Sequence, residues 1–226
     1  MEWSSAKRLS NEMLALENIN SNYVSHDKFY MIKISYTQDI PDLIDVMLLA
    51  QELLWTEPQP CCVYVSTYGI ILIFPCLLEG EEHNMNGKHN SLISKYAIKM
   101  YQIVTENTES QPYYLDECIN IKIVECITQT QVVAYIAWIM LSTAQRTMQL
   151  LSNGKITDNL LSFKTNTELT DILEKECNIE WNKISNNDKY GSLLRVNKEN
   201  MKTPYEEMSG PIDAREMYKY NKFIFE

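Results

Sequence analysis

Glycine and proline are scarce, six and seven in a chain of 226 residues. That excludes collagen-like repeats and a low-complexity linker chain. Histidine is scarcer: His26, His83 and His89 are the three, all in polar surroundings. The local sequence therefore offers no Ser-His-Asp or Cys-His pairing for nucleophilic catalysis. Neither a P-loop nor a G-x-G-x-x-G phosphate loop occurs. No apolar run is long enough to span a bilayer: Val132 to Leu141 is the longest, well short of the ~20 residues required. The opening MEWSSAKRLSNEM lacks the apolar stretch of a secretory signal. The expectation is an intracellular chain, cytoplasmic with the nucleus left open, and no membrane contact.

The six cysteines lack paired Cys-x-x-Cys spacing. Cys61, Cys62, Cys76, Cys118 and Cys126 lie in or beside strand-like runs, and Cys177 falls on a helix. Reduced, buried thiols are expected rather than disulfides. A zinc site would need Cys/His pairs at ligand spacing. Only Cys61-Cys62 are adjacent, and His83 and His89, which would have to join Cys76, sit in the polar loop GEEHNMNGKHN. No metal and no cofactor are expected.

Apolar residues make up 45% of the chain, enough for one large domain or two small ones with a real core. The net charge is −10 and the pI about 4.9. Such a surface repels phosphate backbones, so direct nucleic-acid binding is expected to be weak or absent, short of a local basic patch.

Residues 5–19 read as a helix through Leu9, Met13 and Leu16. FYMIKIS (29–35) reads as a strand. Asp39 then caps a helix that carries Pro41 in its first turn and runs to Trp55, where Pro58 and Pro60 follow. CVYVS (62–66) and IILIF (70–74) form a hairpin across Thr67, Tyr68 and Gly69. After a polar loop, a helix over 91–107 and the strand INIKIVEC (119–126) complete a β-α-β-β-α-β order. This is the split βαβ, ferredoxin-like arrangement: a mixed α/β (α+β) fold whose antiparallel sheet is backed by helices 40–55 and 91–107. An apolar helix over 129–152 stops at Asn153-Gly154. Helices at 157–163 and 166–177 and a strand SLLRV (192–196) follow. The tail contains Pro204, Gly210 and Pro211 and is expected to be extended or partly disordered. The parts are thus an N-terminal helix and lead-in (1–28), a ferredoxin-like core (29–126), a helical extension with a closing strand (127–196), and a tail (197–226).

The same element order is that of the polymerase palm, in which carboxylates at the end of the first strand and in the hairpin hold two metal ions. At this point the chain resembles the tRNA-histidine guanylyltransferase family. IVECITQTQVVAYIAWI (123–139) is similar to the family's strand and following helix, with Tyr135 and Trp138 in a tyrosine-x-x-tryptophan pattern. The segment 165–183 resembles the late helix and its Gly-Ile-Asn-Tyr-Asn, here Asn178-Ile179-Glu180-Trp181-Asn182. YGSLLRV (190–196) matches the closing strand, and the collinear resemblance covers roughly residues 25–196.

The resemblance also implies what is missing. The family's Ile-Asp-Gly-Arg falls on Ile34-Ser35-Tyr36-Thr37, so Ser35 replaces the aspartate ligand. The hairpin Asp-Glu pair falls on Tyr68-Gly69. The Lys-Asn pair falls on Leu169-Thr170 and His-Ile-Asn-Asn on Ala144-Gln145-Arg146-Thr147. Both metal-binding carboxylate positions are therefore empty. Asp39, Asp42 and Asp45 follow the first strand, but carboxylates in a first helical turn cap free N–H groups and meet the positive dipole end.

Two readings compete. One is a pseudoenzyme: a non-catalytic adaptor that binds a protein partner in an RNA-processing assembly, with self-association as a further possibility. Its candidate anchors are Ile136, Ile139 and Met140 on the apolar helix, and Tyr218, Tyr220, Phe223 and Phe225 in the alternating tail MYKYNKFIFE. Burial of the helix in the chain's own core, and a tail strand closing its own sheet edge, are the alternatives for these residues. The other reading is a residual RNA or nucleotide binder, or a nucleotidyltransferase with relocated acids. A face built from Lys183, Lys189, Arg195 and Lys198 would support it.

Overall fold

The computed structural model describes residues 3–17, 25, 27–36, 46–76, 93–100, 102, 119–197, 205–212 and 215–226. Side chains of 3–9, Tyr36 and Ile119 fall outside that set, as do the proposed cap Asp39, the acids Asp42 and Asp45, the three histidines, Cys118 and Lys198.

Among the described residues six strands form one antiparallel sheet. They are β1 (Phe29–Tyr36), β2 (Cys62–Ser66), β3 (Gly69–Ile73), β4 (Ile119–Cys126), β5 (Ser192–Val196) and β6 (Tyr205–Ser209). The order across the sheet is β4-β1-β3-β2-β5-β6. The four strands expected from β-branched runs and turn chemistry are its left and centre, and the hairpin β2–β3 is paired from Cys62↔Ile73 to Ser66↔Gly69. The architecture is the palm-like α+β fold expected.

Alternation along the strands separates two cores. Tyr30, Ile32 and Ile34 of β1, with Val63, Val65, Ile70 and Leu72, face the helix Val46–Leu54 and the helical residues 93–100. Leu49, Ala50, Leu53, Leu54, Tyr96 and Met100 are buried there. Met31, Tyr64, Ile71, Ile73 and Val124 face the opposite way, onto the long helix Gln129–Leu151. Thr128 starts that helix with a capping box, its hydroxyl accepting from Gln131 N while the Gln131 side chain reaches back. The helix is apolar on more than one face because the sheet, the helices Trp3–Leu16 and Asn166–Cys177, and the last helix all pack on it. Beyond it Ala144, Met148, Leu169, Leu173 and Trp181 make a third, smaller core.

The tail differs from the expectation. MYKYNKFIFE is not an extended, alternating segment but a helix, Met217–Phe225. Tyr220, Phe223 and Ile224 recur at three- and four-residue spacing and are buried. Tyr218 with Tyr220 and Phe223 with Phe225 carry the two-residue spacing, whereas the buried Tyr220, Phe223 and Ile224 follow a helical one, and packing against the long helix selected it. The strand that closes the sheet edge lies earlier, in YEEMS (Tyr205–Ser209), paired with β5 from Ser192↔Ser209 to Val196↔Tyr205.

Candidate functional site

Ser35, the last described side chain of β1, lies directly across from Gly69 at the start of β3. Gly69 in turn pairs with Ser66 at the end of β2. One row across three neighbouring strands thus brings Ser35, Gly69 and Ser66 to the hairpin end of the sheet. Glycine is required in that row: a Cβ on Gly69 would stand 2.3 Å from the Ile34 carbonyl oxygen.

The long helix forms the other wall. Tyr135, Trp138, Ile139, Ser142, Thr143 and Arg146 follow a three- and four-residue spacing, so they share one face. Between that face and the strand row is a cleft of about 270 Å³. Its lining includes Ser35, Ser66, Tyr68, Trp138, Thr143 and Arg146, with Lys33 and Tyr64. The three degenerate positions named from sequence, Ser35, Tyr68 and Gly69, therefore do converge on one cleft.

Its chemistry is hydroxyl, aromatic and cationic. The Tyr64 hydroxyl donates to the Tyr190 carbonyl at 2.8 Å and shares a 2.9 Å hydrogen bond with Thr143 Oγ1. Burial pushes its pKa up to about 12, so it stays a neutral phenol. The Arg146 guanidinium lies 4.9 Å from the Tyr68 ring centre. Lys33 Nζ lies 5.7 Å from the Trp138 ring centre and donates to Glu17 at 2.6 Å. Glu17 also accepts from the Tyr135 hydroxyl at 2.8 Å and lies 3.4 Å from Lys122. Burial raises the Glu17 carboxyl, but hydrogen bonds from Lys33 and Tyr135 and the charges of Lys33 and Lys122 outweigh it, and the net shift is downward. Burial, together with the Glu17 charge, pushes the Tyr135 phenol up.

A pair of divalent metals does not fit this lining. Hard cations take carboxylate and carbonyl oxygens, and among the described residues lining the cleft there is no carboxylate. Among the described residues no group of three or more His, Cys, Asp or Glu is placed to hold a metal ion.

The candidate anchors are only partly available to a partner. Ile136 and Met140 are fully buried in the chain's own core, and Tyr220 and Phe223 are buried with them, so the reading of these four as partner contacts is corrected. Each sits on the covered side of its helix. Ile139 is half-buried in the cleft wall. Phe225 meets Phe29 edge-on at 5.3 Å. Tyr218 alone of the seven is open, at 75% exposure.

The proposed basic face does not assemble among the described residues. Lys183 pairs with Glu180, and Arg195 pairs with Glu206 while stacking on Phe223. Lys189 is buried over the Trp181 ring. The described cysteines Cys61, Cys62, Cys76, Cys126 and Cys177 are not in disulfides. Burial pushes the Cys61 and Cys126 thiols up to about 12 and the Cys62 thiol well above its ordinary value, so they are inert core groups.

Sequence reasoning reached Arg146 only through the resemblance and missed Tyr64, Ser142, Thr143 and Glu17. The detectable signal was a stripe of small polar and cationic residues interrupting an apolar helix at helical spacing. Tyr64 and Glu17 carried no such signal, since their roles depend on partners distant in sequence.

No family model matches the chain, and no curated protein matches it. Solved structures do. A bacterial tRNA(His) guanylyltransferase-like protein in complex with GTP aligns at 12% identity and a TM-score of 0.56, covering 99% of this chain and 100% of the other. The structure of such a bacterial protein in complex with ATP gives 12% and 0.54, covering 97% and 98%. The tRNA(His) guanylyltransferase of Saccharomyces cerevisiae gives 11% and 0.55, covering 91% and 98%. The likeness is one of fold, and it extends over nearly the whole of each chain. Among the described residues no helix is long and apolar enough to cross a membrane.

Proposed function

We propose that this chain is a non-catalytic derivative of the guanylyltransferase fold, acting by binding a protein partner in an RNA-processing setting rather than by adding nucleotides. One observation carries the non-catalytic part: at the end of β1 and in the β2–β3 hairpin the cleft presents Ser35, Ser66 and Gly69. Two-metal phosphoryl chemistry needs convergent carboxylates to clamp the attacking and leaving oxygens. Hydroxyls supply neither the charge nor the affinity for that. The RNA-processing setting is taken from the solved structures that share the fold, which are named for tRNA(His). A net charge of −10 favours a protein over an RNA backbone as the main partner. Tyr218, exposed on the last helix, is the remaining anchor for it.

The decisive experiment is a magnesium-dependent nucleotide-addition assay on tRNA with pure protein. No incorporation is expected. Incorporation that disappears in Asp39→Asn or Asp42→Asn would overturn the proposal, because those acids would then supply the missing ligands. For the partner, affinity capture with wild type and Tyr218→Ala in parallel should return a protein bound by the first and lost by the second. Capture that is equal for both removes Tyr218 from the interface.

A further inference from the structure

The turn that ends the long helix carries a reactive pair. Asn153 and Gly154 follow the buried Ser152, and both are exposed. Both have positive φ, 50° and 86°. Among the described residues neither the Asn153 side-chain amide nor the Gly154 N–H makes a hydrogen bond. A Cβ on Gly154 would meet nothing within 4 Å, so no neighbour crowds the peptide between them. Glycine also leaves its own nitrogen unshielded and its torsions the freest of any residue.

We propose that Asn153-Gly154 is a site of spontaneous backbone modification, where Asn153 cyclises and reopens as isoaspartate, and that the change loosens the third core. This goes beyond the protein-binding proposal and does not rest on it.

The reaction needs only water and solvent base. The Gly154 nitrogen loses its proton and attacks Cγ of Asn153. The Cγ–Nδ2 bond breaks, and the leaving nitrogen takes up a proton and departs as ammonia. A five-membered succinimide remains, with one nitrogen bonded to both Cγ and the Asn153 main-chain carbonyl carbon. Water then opens the ring. Cleavage at Cγ gives aspartate; cleavage at the main-chain carbonyl gives isoaspartate, whose backbone runs through the former side chain.

The turn is a poor place for a longer backbone, because it spans two buried anchors. Ser152 is fully buried and Ile156 nearly so. The Ile156 N–H donates to Ser152 Oγ at 2.9 Å, and the Lys155 N–H to the Ser152 carbonyl at 3.2 Å. The Cys177 thiol donates to that same carbonyl at 3.7 Å. Isoaspartate inserts a methylene between the anchors, so these bonds cannot all keep their register. It also sets a carboxylate at the carbonyl end of the long helix, where the dipole disfavours negative charge. Ile156 packs with Ala144, Met148, Leu169, Leu173 and Trp181, and the disturbance passes to them.

The test ages the full chain in mildly alkaline buffer and maps it by mass spectrometry. Tryptic cleavage after Arg146 and Lys155 isolates Thr147–Lys155, in which Asn153 is the only asparagine. That peptide should accumulate both acids, faster as pH rises, with isoaspartate marked by an isoaspartyl methyltransferase. Hydrogen exchange at the Ile156 amide should be about tenfold or more faster in the isoaspartate form, the loss of its hydrogen bond. Asn153→Gly keeps the left-handed backbone and removes the reacting group. It should melt with wild type and keep its Ile156 protection on ageing. Freshly prepared Asn153→Asp adds the charge without the extra methylene, and its Ile156 exchange should stay close to wild type. A Thr147–Lys155 peptide that stays unmodified in the folded chain but converts in denaturant would overturn the proposal. So would conversion confined to Asn86-Gly87, the other Asn-Gly of the sequence, or aspartate formed without isoaspartate. Unchanged Ile156 exchange in the isoaspartate form, or equal loss in Asn153→Asp, would overturn the loosening.

Discussion

At the residue scale, side chains around the cleft join segments distant in sequence. Tyr64 ties β2 to the long helix through Thr143 and to the end of the short helix Asn186–Tyr190 through the Tyr190 carbonyl. Tyr64→Phe strands a buried carbonyl, and the expected cost is about 1–3 kcal/mol in denaturant unfolding; a midpoint equal to wild type would mean that water replaces the phenol. Gly69 is more constrained. Gly69→Glu would return a carboxylate to the hairpin, yet its Cβ would meet the Ile34 carbonyl at 2.3 Å. The variant is expected to lose stability without gaining magnesium affinity, read from its melting temperature with and without the ion. Glu17 sets a pH dependence. Its carboxyl lies below the ordinary 4.5 in the folded chain. Its contribution is therefore complete above the unfolded value and is lost as pH falls through the folded one. Glu17→Gln should be less stable than wild type at pH 7, and the gap should close below about pH 4.

Elements, taken singly, are marginal and depend on what covers them. The long helix begins with the Thr128–Gln131 capping box, and Thr128→Ala should cost about 1 kcal/mol. The tail is a larger case. β6 pairs along β5, and Tyr220, Phe223 and Ile224 are buried against the second core. Burying three such side chains is worth roughly 1.5–3 kcal/mol each, together a large part of the ~5–15 kcal/mol that holds a domain folded. Truncation after Val196 is therefore expected to abolish cooperative unfolding, with loss of near-UV circular dichroism. A truncated chain that melts like the full one would show that the last strand and helix add nothing to the core.

Across the whole molecule, charge and fold act separately. The net charge of −10 disfavours the compact state through self-repulsion, so the melting temperature at pH 7 should rise from low to physiological salt. The sheet itself is built by strands from both ends of the chain: β5 and β6 extend the sheet that β1 to β4 begin. The segment boundaries read from sequence at 127 and 197 therefore cut across one continuous sheet.

Residue identity and short-range pattern settled part of this by themselves. The runs at 62–66, 119–126 and 192–196 are strands because β-branched and aromatic residues are bounded by turn and loop chemistry. The stop at Asn153-Gly154 follows from two residues that tolerate positive φ. The missing carboxylates at 35, 68 and 69 are a matter of composition, legible wherever the fold puts those positions. Tertiary packing decided the rest. A segment such as MYKYNKFIFE satisfies two periods at once, and only the surface it docks on selects between them. Which side of a helix apolar on more than one face is covered, and which residues remain for a partner, depends on what packs on each face. The meeting of Arg146 with Tyr68, and of Glu17 with Lys33 and Tyr135, rests on long-range contacts, whose geometry no local spacing encodes.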